Sequence, residues 1–171
     1  MKRLVFAALV AAGLIFFSFA CADEDQTGGN DISVSLTAHT GCKPGVKSGA
    51  GDREISSGTS CIDYSYSPDT RKLTLTHVNA GFNCCPESLF CQVSLVKDTL
   101  VITEKEKSAL CKCDCLYDLD MVVYGLPPVV YHLRIKEPYL NGQEALQFQV
   151  DLKANPSGRF CVVRDKYPWG I

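Results

Sequence analysis

The stretch CIDYSYSPDTRKLTLTHV, residues 61–78, decides the fold class. In both of its halves apolar side chains alternate with polar ones, and a turn signal, Ser67-Pro68-Asp69, separates the halves. The apolar set is Ile62, Tyr64, Tyr66, Leu73 and Leu75. Successive side chains of a strand point to opposite faces, so each half predicts a half-buried strand. Residues 61–67 and 71–78 are therefore predicted to form a β-hairpin.

The same alternation with a period of two continues along the chain, and no window of helix length shows a 3.6-residue period. A second hairpin is predicted from 91–96 and 99–104, and residues 104–110 form at most one helical turn. Further alternating runs lie at 32–37, 111–123, 131–136 and 146–152. About nine strands with one apolar face each predict an all-β fold, an antiparallel β-sandwich.

The N-terminus has the layout of a secretory signal peptide. Lys2 and Arg3 precede an apolar run that ends near Phe19, and small residues follow at Ala20 and Ala22. The stretch Ser18-Phe19-Ala20-Cys21 resembles the lipobox of bacterial lipoproteins, which implies that Cys21 carries a lipid. Ordinary cleavage after Ala22 is the alternative, and it would release a soluble periplasmic or secreted protein.

Residues 21–30 are acidic and Gly-containing, as expected of a lipidated N-terminus with a flexible tether. Such an acidic start also resembles surface lipoproteins of Bacteroidota-type bacteria. The predicted organisation is a signal peptide at 1–20, the tether at 21–30 and one sandwich domain at 31–171. The predicted location is the outer membrane or cell surface, with the lipid anchor as the only membrane contact.

Composition excludes several classes of protein. The chain has 171 residues, and removal of Lys2 and Arg3 leaves 15 of its 17 basic residues against 19 acidic ones. A net acidic chain without a Lys/Arg run is a poor nucleic-acid binder. Its 46% hydrophobic content is too high for a disordered chain.

The segment Leu126-Pro127-Pro128-Val129-Val130-Tyr131 resembles the Leu-x-Pro…Tyr stretch of fibronectin type III and related Ig-like domains. The resemblance implies an Ig-like sandwich in which the hydroxyl of Tyr131 bonds back to the backbone at a strand corner. It implies nothing about activity, because that fold carries many functions.

Ten cysteines in an exported chain predict a disulfide framework. Nine remain once Cys21 is set aside, so at least one thiol stays unpaired within the chain. The disulfide candidates are Cys42, Cys61, Cys84, Cys85, Cys91, Cys111, Cys113, Cys115 and Cys161. A bridge between Cys42 and Cys61 would close the glycine-rich loop at 41–60.

The cluster Cys111-Lys112-Cys113-Asp114-Cys115 shares the alternation of the strand that follows it, which predicts three sulfurs on the core-facing side. They are too far apart along a strand to bond one another, so partners are expected among Cys84, Cys85 and Cys91. Adjacent Cys84 and Cys85 point opposite ways and need different partners. A metal site or thiol-redox site of Cys111, Cys113 and Cys115 with an inward-facing His77 is the alternative.

Catalysis has no motif to support it in this sequence, and no cofactor is predicted. His132 falls on the polar side of its strand, and Asp114, Asp118 and Asp120 form an acidic stripe; both are interpreted as solvated surface. Tyr167 and Trp169 near the C-terminus either cover one end of the sandwich or form a binding surface.

The sequence therefore predicts a monomeric cell-envelope lipoprotein that serves as a non-enzymatic binding or structural module for a protein or glycan ligand. The first alternative is the metal-binding or redox protein described above. The second is a protease-inhibitor-like module that presents the loop at 41–60. Enzymatic activity is not expected.

Overall fold

The computed structural model describes residues 32–43 and 58–165. The predicted signal peptide, the tether, most of the glycine-rich loop, Tyr167 and Trp169 lie outside these residues. Within the described ranges the chain forms nine strands and no helix. They are β1 (Ser33–His39), β2 (Thr59–Ser67), β3 (Lys72–Asn83), β4 (Pro86–Val96), β5 (Thr99–Ala109), β6 (Asp114–Tyr124), β7 (Val130–Lys136), β8 (Gln147–Asp151) and β9 (Ser157–Val163).

The strands form two sheets, in the orders β1-β6-β3-β2-β9 and β4-β5-β7-β8. Both predicted hairpins are confirmed: Cys61 pairs with Val78 in the first, and Val96 pairs with Thr99 in the second. The expectation of wholly antiparallel sheets is wrong at one place, because β5 and β7 run parallel. That pairing follows from the chain leaving the second sheet after β5, crossing to the first sheet as β6, and returning as β7.

The interpretation of residues 104–110 as a helical turn is also wrong. These residues continue β5 as far as Ala109, where the strand pairs with Pro86 at the start of β4. The long antiparallel partner supplies backbone hydrogen bonds over the whole segment, and this outweighs the local preference of a Lys- and Glu-rich stretch.

One hydrophobic core lies between the two sheets, so the arrangement is sandwich-like. Leu73, Leu75 and Met121 enter it from the first sheet, and Leu100 and Leu133 enter it from the second. All five side chains are fully or almost fully buried. Each occupies the apolar position of its alternating run, so the period of two in the sequence placed them on the correct face.

A β-bulge interrupts the pairing of β3 with β6 directly after His77. Asn79 adopts a left-handed conformation there (φ 63°), and its side-chain amide donates to the carbonyl of Thr59 at 2.8 Å. Its backbone N–H donates to Asp118 Oδ1 at 3.0 Å. Bulges redirect neighbouring side chains, and this one lies next to the most polar part of the core.

Candidate functional site

A cluster of buried polar side chains joins the two sheets, and we call it the inter-sheet ion network. His77 is contributed by β3 and Ser60 by β2, both in the first sheet. Glu104 comes from β5 of the second sheet, while Glu137 follows β7 and Arg164 follows β9. The side chains of these four ionisable residues are at most 2% exposed. Charged residues are almost never buried so completely unless they are paired.

The hydrogen bonds of this network pass through the imidazole of His77. Its Nδ1 lies 2.7 Å from Glu104 Oε1, which connects the two sheets, and its Nε2 lies 2.8 Å from Ser60 Oγ. Glu137 Oε1 lies 3.9 Å from the same Nε2. Arg164 then donates through Nη2 to Glu137 Oε2 at 2.6 Å, which makes a second connection between the sheets.

The electrostatics favour a protonated His77. Complete burial lowers the pKa of His77, but the carboxylates of Glu104 and Glu137 raise it by more, and the net pKa lies above the ordinary value. With His77 protonated, two positive and two negative side chains sum to zero inside the core. Burial also raises the pKa of Glu137, against the lowering influence of His77 and Arg164. Isolated buried charges are strongly unfavourable, so this balance is the condition for burying the network.

Ser60, His77 and Glu104 form the same chain of hydrogen bonds as a Ser-His-acid catalytic triad, from the serine hydroxyl through the imidazole to the carboxylate. Ser60, however, is 0% exposed, so a substrate carbonyl has no access to its Oγ. A Ser nucleophile must also reach substrate from a cleft, whereas this one lies between two packed sheets. In this structure the arrangement is therefore a hydrogen-bonded cluster that is closed to substrate.

Of this network the sequence indicated only His77, and only in the alternative metal site with Cys111, Cys113 and Cys115. The missed residues are Ser60, Glu104, Glu137 and Arg164. A usable signal was present, because each of them continues the inward alternation of its strand, as Glu104 follows Leu100 and Ile102. An ionisable residue at the next inward position of several strands indicates a buried polar cluster.

The cysteines form four disulfides within the described residues: Cys42–Cys115, Cys61–Cys161, Cys84–Cys113 and Cys85–Cys111. The suggested bridge between Cys42 and Cys61 is wrong. Cys61 lies directly opposite Cys161 on the neighbouring strand, with Cα atoms 4.1 Å apart. Cys84 and Cys85 take different partners, both from the 111–115 cluster.

The placement of all three clustered sulfurs on a core-facing strand is wrong for two of them. β6 begins at Asp114, and of the three only Cys115 is buried, whereas Cys113 is exposed. Cys111 and Cys113 lie before the strand, where they bond to the turn between β3 and β4. These two bridges and hydrogen bonds from the Asn83 amide to the carbonyls of Cys111 and Cys113 hold that segment in place.

Cys91 is the free thiol among the described cysteines, and it is half-buried on β4. Burial and the nearby Glu104 carboxylate raise its pKa to about 11. The thiolate is the reactive form of cysteine, so Cys91 is protonated and weakly nucleophilic at neutral pH.

The metal-ligand set of Cys111, Cys113, Cys115 and His77 is not assembled. His77 pairs with Leu119 across the strands, whereas Cys115 pairs with Phe82 several residues farther along. A different group does converge: the sulfurs of Cys42, Cys84 and Cys115 all lie within 4.8 Å of one another. These sulfurs belong to two adjacent disulfides.

The remaining predicted positions lie at the surface or at a strand corner. The side chain of His132 is 56% exposed and lies 3.7 Å from Asp98. Asp118 in the acidic stripe is half-buried and forms an ion pair with Lys43. The hydroxyl of Tyr131 donates to the carbonyl of Pro127 at 3.1 Å.

No helix that could span a membrane occurs in residues 32–43 and 58–165.

Comparison with known proteins assigns no relative to this chain. No protein-family model matches it, no curated protein matches it, and no solved structure matches it.

Proposed function

We propose that this protein is an exported, lipid-anchored component of the cell envelope whose folded domain is a non-enzymatic binding or structural module. The observation that carries the proposal is the set of four disulfides among the described cysteines. Disulfides persist in oxidising compartments and are rare in the cytosol. The signal-like segment at 1–20 independently directs the chain to such a compartment.

The lipid anchor is proposed at Cys21, and the tether at 21–30 separates it from the domain. Intact mass of the membrane-extracted protein tests this: acylation predicts the added mass of a lipid on an N-terminal Cys21. The Cys21→Ser variant is expected to leave the detergent-rich phase and to enter the aqueous phase. If the unmutated, processed protein is itself aqueous and begins after Ala22, the anchor is refuted and the soluble alternative holds.

The proposal of a module without catalysis is supported by the inaccessibility of the chemically suggestive side chains. Ser60 and His77 are fully buried, and the free thiol of Cys91 has a raised pKa. A domain with four disulfides can still present loops to a protein or glycan ligand. Tyr167, Trp169 and the loop at 41–60 stay candidate contact regions, the loop also for protease-inhibitor-like binding. We expect a monomer, which sedimentation analysis of the detergent-free Cys21→Ser variant tests.

We also propose that the sandwich is Ig-like. The hydrogen bond from Tyr131 to Pro127 supports this, since a tyrosine that bonds back to the backbone at a strand corner is a hallmark of such domains. An experimental structure with Tyr131 turned away from Pro127 would contradict the relationship.

Metal binding or thiol-redox activity is the second candidate function, and the convergence of Cys42, Cys84 and Cys115 favours it. In the reduced state these thiolates and Cys113 would offer soft ligands suited to Zn²⁺ or Cu(I). Intact mass before and after denaturing alkylation separates the candidates. Four bridges and one alkylated thiol, Cys91, in the folded domain support the structural module. Several alkylated thiols together with a stoichiometric ion support the metal protein instead.

A further inference from the structure

The N-terminal strand enters the domain at one end of the sandwich, which we call the entry pole. Ser33 pairs with Tyr124, the last residue of β6, so Ile32 lies beside the loop from β6 to β7. The tip of the β4–β5 hairpin lies beside β7, the strand that follows this loop, because His132 in β7 donates its N–H to the carbonyl of Asp98 at 2.9 Å. A cavity of about 330 Å³ between Ile32, Leu95 and Val129 marks the place where these elements come together.

The entry pole carries a concentration of exposed apolar side chains. Leu95 is 36% exposed, Val96 62%, Val129 49% and Val130 39%. They account for four of the seven exposed large hydrophobic residues in the described part of the chain. Lys97 lies among them at the hairpin tip. Contiguous exposed apolar surface rimmed by polar residues is typical of protein or membrane contact.

We propose that the entry pole rests on the lipid surface that holds the acylated Cys21. The inference depends on the lipid anchor of the proposed function. The ten residues between Cys21 and Ile32 can span at most about 35 Å. The strand joined to the tether begins at this pole, which therefore lies nearest the bilayer. Val96 and Val129 then insert at the headgroup boundary, with the Lys97 ammonium near lipid phosphates.

The opposite end of the sandwich supplies a matched control position. Lys112 is exposed and lies between the bridged Cys111 and Cys113, just before β6 begins at Asp114. β6 then runs to Tyr124 at the entry pole. At about 3.3 Å per residue the two ends of this strand are about 33 Å apart. When one end touches the bilayer, the other end is therefore too far away for quenching by groups on the acyl chains.

The test places a fluorescent side chain at each end of the full lipidated chain. Val96→Trp and Lys112→Trp are each combined with Trp169→Phe, and both proteins are placed in phosphatidylethanolamine–phosphatidylglycerol vesicles with or without brominated acyl chains. We expect the Val96→Trp emission to shift to the blue and to be quenched by bromine. The Lys112→Trp emission is expected to change in neither respect.

Equal quenching at both positions, or none at either, overturns the inference. Dimerisation on sedimentation without quenching at position 96 also overturns it and favours a second copy of the chain as the occupant of the pole. Intact mass judges the anchor separately. A lipidated protein without selective quenching refutes only the membrane-facing pole. Selective quenching with an unmodified Cys21 refutes the anchor and, with it, the inference as stated, because the pole then contacts lipid without a covalent anchor.

Discussion

Replacement of Glu104 by Gln tests whether the inter-sheet ion network stabilises the domain through a buried proton. The substitution keeps the shape of the side chain but removes one of two negative charges that balance His77 and Arg164. Breaking a fully buried pair costs about 3–5 kcal/mol when the partner stays charged. In the Glu104→Gln variant His77 can lose its proton and so avoid being a buried, uncompensated charge. The loss of stability is then closer to that of one charge-assisted hydrogen bond. We expect a loss of about 2–3 kcal/mol in the free energy of unfolding.

The pH dependence has a definite sign. The pKa of His77 is raised in the folded protein, so its contribution is fully present below its ordinary pKa of about 6.5 and is lost as pH rises through the folded value. Glu137 also adds stability that is lost as pH rises, since its pKa is raised in the folded protein. This loss begins at a lower pH than that of His77, because the ordinary pKa of a glutamate is lower than that of a histidine. One proton gives a slope of at most about 1.4 kcal/mol per pH unit. Glu104→Gln removes the largest influence that raises the His77 pKa and is therefore expected to flatten this slope.

Urea denaturation of the disulfide-intact protein between pH 6 and pH 9 measures both quantities. Glu87→Gln is the matched control, because Glu87 is an exposed partner of Lys107 and its loss is expected to change stability by less than about 0.5 kcal/mol. The double variant His77→Leu/Glu104→Leu is expected to regain part of the lost stability, since the remaining Glu137–Arg164 pair is neutral while the buried Ser60 hydroxyl loses its His77 partner. An unchanged pH slope in Glu104→Gln, or a double variant no more stable than the single one, would refute the reasoning.

Three further predictions concern the bridge between neighbouring strands, the strand corner and the buried serine. Cys61→Ala/Cys161→Ala opens a bridge with a sequence separation of 100 residues and is expected to cost about 2–5 kcal/mol; an unchanged thermal midpoint would contradict this. Tyr131→Phe loses the hydrogen bond to Pro127 and is expected to cost about 1 kcal/mol in urea denaturation, and no loss would deny the corner a stabilising role. A fluorophosphonate probe is expected to leave Ser60 unlabelled in the native protein, and stoichiometric labelling abolished by Ser60→Ala would establish a serine hydrolase.

The alternation of side chains was sufficient to predict most strands and which residues face the core. Leu73, Leu75 and Met121 follow it without exception, because a strand has a fixed period of two and one side of each sheet is buried. Local sequence also placed both hairpin turns. Local sequence gave the wrong structure for residues 104–110, because pairing with β4 overrides the local preference there. It also did not predict that β5 and β7 are parallel, because strand order depends on how the chain crosses between the sheets.

The sequence by itself determined the all-β class, the two hairpins and the inward side of most strands, because these follow from nearest neighbours along the chain. Only the tertiary structure decided which cysteines bond and which charges meet. Cys61 joins Cys161 rather than Cys42, and His77 meets Glu104 and Ser60 rather than sulfur. Both outcomes join residues far apart in the chain. A disulfide requires Cα atoms within about 7 Å of each other, and buried charges require direct contact with their partners. Residues far apart in the chain come this close only once the two sheets have packed together.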